Sequence, residues 1–120
     1  MKKVIQIVED DDDIRFILEY ILADSGFVLE TFNSIKAFYN RQHTGHTDLI
    51  ILDVRLPDGS GIELCNAIKN DQCTSNIPVI IMSAHASGEY ALVEGKADYF
   101  IAKPFDLDEF IVKVEGILNT

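Results

Sequence analysis

The chain has 120 residues, 48% hydrophobic and 25% charged, and 10 basic against 20 acidic residues give it a formal net charge of −10. That length and composition fit one globular domain with a buried core and exclude a disordered chain. The acidic balance repels phosphate backbones and anionic lipid, so it disfavours direct nucleic-acid binding and a membrane surface and favours cations or a basic partner.

The first element is "KVIQIV" (3–8), a β-branched run that reads as a buried strand. Its apolar stretch is too short for a secretory signal or a membrane span. The two cysteines, Cys65 and Cys73, lack metal-ligand spacing and suit a reduced compartment, so the sequence reads as cytoplasmic. Five adjacent acids follow, Glu9 to Asp13. Their mutual repulsion calls for either a solvated helix entrance or a cation against them. Ile14, Ile17, Leu18, Ile21 and Leu22 then form a helical stripe, and Gly26 is placed to close that helix in a left-handed conformation.

"FVLETF" (27–32) is a second strand, and 34–42 a helix with Ser34 as its N-cap. His43 and His46 lie in the polar loop after it and read as surface residues. "DLIILDV" (48–54) is apolar nearly throughout, which predicts a central strand covered on both faces. After the loop "RLPDGSG", Ser60 and Glu63 have capping-box spacing at the head of a third helix. "IPVIIMSA" (77–84) is a fourth strand, 86–95 a weak helix, and "ADYFIA" (97–102) a fifth strand. The last helix has Asp106 as cap and Phe110, Ile111, Val114, Ile117 and Leu118 on one face.

Repeated βα units with very apolar strands predict an α/β domain, a parallel sheet with helices on both faces. In such sheets ligands bind outside the carboxyl ends of the strands. Those ends carry Glu9 and Asp10, Asp53, Ser83, and Lys103 followed by Pro104. Clustered carboxylates need a cation, and oxygen ligands suit Mg²⁺. Asp10 is assigned a direct metal role, Glu9 a water-mediated or supporting one, and Asp11 to Asp13 a solvated helix cap.

"VEDDDDIR", "LDVRLPDGSG", "PVIIMSA" and "FIAKPF", in that order across the whole chain, resemble a response-regulator receiver domain of two-component signalling. The resemblance implies a flavodoxin-like, doubly wound sheet of order 2-1-3-4-5. It implies Asp53 as phosphoacceptor, supplied by a phosphohistidine on a sensor histidine kinase or phosphotransfer protein. Mg²⁺ would sit on Asp10, Asp53 and the backbone carbonyl of Arg55. Lys103 and the Ser83 hydroxyl would meet phosphoryl oxygens, and the Lys103–Pro104 peptide would be cis. Phe100 would rotate on activation, while Arg55 and His85 would tune hydrolysis of the phosphate. The expected role is a switch for an unidentified output partner rather than an enzyme.

Three features depart from the family pattern or leave it open. The stretch from Ser83 to Lys103 is about two residues short, and Lys96 stands where a small residue often precedes the fifth strand, so the fourth helix is expected to be short, mobile or displaced. The receiver is expected to fill 1–120 with no output domain following, either as a stand-alone protein or as a piece of a longer one. A degenerate receiver that binds partners without phosphorylation is the alternative. A haloacid-dehalogenase-like hydrolase would need an acid where Arg55 stands, and a flavodoxin-like cofactor binder would need a glycine loop after the first strand.

Overall fold

The computed structural model describes residues 2–41, 45–84 and 92–119. Five strands, β1 (Val4–Val8), β2 (Val28–Phe32), β3 (Leu49–Asp53), β4 (Val79–Ser83) and β5 (Tyr99–Ala102), pair in the order β2-β1-β3-β4-β5, every pair parallel. The chain runs outward from β1 to β2, returns across β1 to β3, and continues outward to β5. That reversal opens a crevice above the carboxyl ends of β1 and β3.

Strand alternation sorts the core into two layers. On one face, Ile5, Ile7, Leu49, Ile51, Ile80 and Met82 pack against Leu18 and Leu22 of α1 (Asp12–Asp24) and Phe110, Val114 and Leu118 of α4 (Leu107–Leu118). On the other, Val8, Ile50, Leu52, Val79 and Ile81 pack against Phe38 of α2 (Ile35–Tyr39) and Leu64, Cys65 and Ile68 of α3 (Gly61–Asn70). β3 and β4 are buried at every position because both faces are covered. The edge strand β2 is only partly buried.

The helix ends follow local chemistry. Asp11 caps α1 by accepting from the amides of Asp13 and Ile14 at 2.9 and 3.1 Å. Gly26, at φ 92°, closes it, with its amide on Ala23 O at 3.0 Å. Ser34 caps α2 and Asp106 caps α4 as the sequence predicts.

Three local expectations change. The helix predicted over 34–42 spans only Ile35–Tyr39. The Arg41 guanidinium folds back over the Phe38 ring at 3.7 Å and donates to the Phe38 carbonyl at 2.7 Å, occupying an acceptor that a longer helix would use. Ile17 is 43% exposed, at the margin of the α1 stripe rather than in the core. Ser60 caps α3 through the amide of Ile62, at 3.1 Å, and not through that of Glu63. Most of the helix predicted over 86–95 lies outside the described residues; 92–94 are helical.

The predicted loop after β3 contains a two-residue antiparallel ribbon, Arg55–Leu56 against Gly59–Ser60. Asp58 at its tip accepts from the amides of Ile35 and Lys36 at 2.9 and 2.8 Å, tying it to the start of α2, and those amides hold its carboxyl below the usual range. The ribbon returns the chain so closely that a Cβ on Gly61 would lie 1.9 Å from the Asp53 carbonyl oxygen. Gly61→Ala must displace α3 or the end of β3. It should cost about 3 kcal/mol, read as a lower midpoint in urea unfolding; an unchanged midpoint would show that the approach is looser than described.

Candidate functional site

The end of β1 is pinned by the Glu9 amide, which donates to Phe32 O at 3.0 Å. From there the acidic run divides. The Glu9 side chain turns inward and is fully buried. Its Oε1 accepts from Lys103 Nζ at 2.7 Å and its Oε2 from the Asp11 amide at 3.3 Å. Asp11 is the helix cap, and Asp12 and Asp13 lie in the first turn of α1, where the positive end of the helix dipole favours anions. Asp12 also pairs with Arg15. Asp10 is exposed and joins a different group: carboxylate oxygens of Glu9, Asp10 and Asp53 lie within 4.8 Å of one another.

β3 delivers Asp53, 9% exposed, to the same edge. β5 delivers Lys103, whose amide donates to Ser83 O at 2.9 Å and whose peptide to Pro104 is cis, as expected. Lys103 Nζ lies 3.5 Å from Asp53 Oδ2, so one ammonium spans two carboxylates and holds the buried one more tightly. Ser83 is buried beside Ala102 in the β4–β5 register. Glu9, Asp10, Asp53, Arg55, Ser83 and Lys103 line one open cavity of about 380 Å³.

Burial pushes the Glu9 carboxyl up to about 7; the Lys103 hydrogen bond opposes that rise and the Asp53 charge adds to it. Burial pulls the Lys103 ammonium down, but the Glu9 hydrogen bond and the two carboxylates more than reverse it, leaving it raised. Three clustered carboxyl groups face one ammonium, so the crevice retains attraction for a further cation. Its donors are all oxygens, which fits Mg²⁺.

Fold and site together define a doubly wound α/β domain with an acidic crevice at the topological switch, closed on one side by a lysine from the edge strand. Residues 5–115 match the family model of the response regulator receiver domain, and the chain belongs to that family. It is 31% identical to the phosphate regulon transcriptional regulatory protein PhoB of Escherichia coli, over 99% of this chain and 53% of that one. It is 37% identical to Histidine kinase P4 of Formosa agariphila, over 98% of this chain and 9% of that one. The chain thus spans about half or less of the length of these relatives. Among solved structures, the non-phosphorylated HemR receiver domain of Leptospira biflexa superposes with a TM-score of 0.87 at 31% identity, covering 99% of this chain and 96% of that one. Response regulator TrrA of Thermotoga maritima, in complex with Mg²⁺ and BeF, superposes with a TM-score of 0.81 at 28% identity, covering 97% and 99%. The five-stranded order and its helices are those of the flavodoxin-like receiver fold. A response regulator receiver domain is not a classical enzyme.

Among the residues singled out by sequence, Glu9, Asp10, Asp53, Arg55, Ser83 and Lys103 come together. Phe100 stands apart from this cavity: it is partly buried against the α2/α3 core layer. His85 and His43 lie outside the described residues, while His46 is exposed and paired with Asp48 at 2.6 Å. Sequence reasoning missed Gly61, whose signal was a glycine opening a helix after a tight turn. It also missed the fixed contact between Glu9 and Lys103, which joins residues far apart in the chain. No described helix is long and apolar enough to cross a membrane.

Glu9 has a raised pKa in the folded protein, so its stabilising contribution is full below about 4.5 and is lost as pH rises towards about 7. In metal-free buffer, Glu9→Gln should flatten that part of the stability profile, followed by urea unfolding across this range. A variant profile parallel to the parent's would contradict the assignment.

Proposed function

We propose that the domain takes a phosphoryl group onto Asp53 from a phosphohistidine of a sensor histidine kinase or phosphotransfer protein, and that the product changes which partner it binds. The observation that carries this reading is the placement of Asp53 at the mouth of the crevice, beside Asp10 and within ion-pair reach of Lys103. An oxygen of Asp53 attacks phosphorus in line; the P–N bond of the donor breaks, and its electron pair returns to the imidazole. Rigid mounting at the end of a buried strand orients that oxygen without further ordering.

Asp10, Asp53 and the Arg55 carbonyl would hold Mg²⁺, with Glu9 acting through water. The ion supplies charge neutralisation on the phosphoryl oxygens. Lys103 holds a second phosphoryl oxygen and shifts its pairing away from Glu9 to do so. The Ser83 hydroxyl holds a third. That demand on Ser83 moves the end of β4. Phe100, the register neighbour of Ile81 across β4 and β5, repacks beneath it. Arg55, exposed at the rim, and His85 set the access of hydrolytic water to the phosphate. The setting for this exchange is the cytoplasm, and neither nucleic acid nor membrane is bound directly.

Incubation with acetyl phosphate and Mg²⁺ should add the mass of one phosphate to the intact protein and none to the Asp53→Asn variant. A parent that stays unmodified would make the domain a degenerate receiver that binds partners without phosphorylation. Phe100→Ala should leave phosphorylation intact while removing its effect on partner affinity; coupling equal to the parent's would reject the role of Phe100. Arg55→Ala should change the rate of phosphate loss, followed by the decay of the phosphorylated mass, and an unchanged decay would remove Arg55 from that role.

A further inference from the structure

Each acid of the run from Glu9 to Asp13 has a local arrangement, and one cation close to the run organises it. Arg15 stands one turn into α1, with its side chain only 20% exposed. Its Nη1 donates to the Glu9 carbonyl oxygen at 2.9 Å, while Nη2 pairs with the Asp12 carboxylate. Its Nε lies 3.9 Å from Glu19 Oε1. The guanidinium therefore reaches past the helix cap to the peptide joining Glu9 to Asp10.

That peptide is planar, so holding its oxygen fixes the peptide plane and with it the position of the Asp10 Cα from which the side chain departs. Asp10 is the exposed member of the carboxylate cluster and lacks the burial that orders Glu9. We propose that Arg15 is a positioning residue for the metal site: through the Glu9 carbonyl it aims Asp10 into the crevice, and through Asp12 it keeps the guanidinium from turning to the cluster. This rests on the reading of the crevice as an Mg²⁺ site.

Electrostatics alone demands the opposite sign. Removing a positive charge from the neighbourhood of a cation site favours the cation. Loss of an orienting group weakens it, as is general for groups that hold a metal ligand in place. Affinity therefore separates the two effects.

The test is a heteronuclear NMR titration of the intact chain with MgCl₂, alongside urea unfolding in EDTA. Arg15→Ala should weaken Mg²⁺ binding about 10-fold. Arg15→Lys, which keeps the charge on a single donor nitrogen but not the fork, should recover part of the loss. The same ordering of affinities should hold in the folded fraction of each variant, whatever its unfolding midpoint. Arg15→Gln serves in place of the alanine variant should that one fail to fold. Unchanged or tighter binding in the variant lacking the charge overturns the proposal, even where its stability falls. A parent that shows no saturable Mg²⁺ binding overturns the metal reading and the proposal together. A parent that binds, with Asp10→Asn weakened and Arg15→Ala equal to the parent, overturns the proposal alone.

Discussion

The structure depends on how negative charge is held at the carboxyl ends of β1 and β3. Glu9, Asp10 and Asp53 are brought together by the parallel register, not by any attraction among themselves. Burial of Glu9 in its ionised form is costly, and Lys103 offsets that cost by crossing from the edge of the sheet to meet it at 2.7 Å. The same ammonium lies 3.5 Å from Asp53. One residue thus stabilises the resting crevice and stands where a new anionic group on Asp53 would need a counter-charge.

The five-acid run is tolerable because it is not a single patch. Glu9 turns into the protein, Asp11 satisfies helix amides, Asp12 meets Arg15, and Asp13 lies in the first turn of α1. Glu9, from its buried position, and Asp10, from the exposed side, are the two acids of the run that join Asp53 in the crevice cluster. A run that looks uniform in the sequence is divided by the change from strand geometry to helix geometry, which sends successive side chains in different directions.

Much of this was legible in advance. The strand-end residues Asp10, Asp53, Ser83 and Lys103 could be placed together because parallel βα units bring every carboxyl end to one edge. The caps at Ser34 and Asp106 were legible because capping is decided within a few residues. The short α2 was not, because Arg41 ends it through a contact with Phe38 that no propensity reports. Ile17 fitted the periodic stripe yet lies at its margin, since α1 meets the sheet along a narrower face than the apolar residues cover.

By itself, the sequence determined the fold class, the strand order implied by its family resemblance, and the edge at which the polar residues would gather. These depend on apolar periodicity and on motif order, both local or linear properties. Only the tertiary structure decided that Lys103 bonds most closely to Glu9, that Gly61 must lack a side chain beside Asp53, and that Arg15 holds the Glu9 carbonyl. Those contacts are set by where packing and chain reversal bring particular atoms in three dimensions, which has no signature in residue spacing.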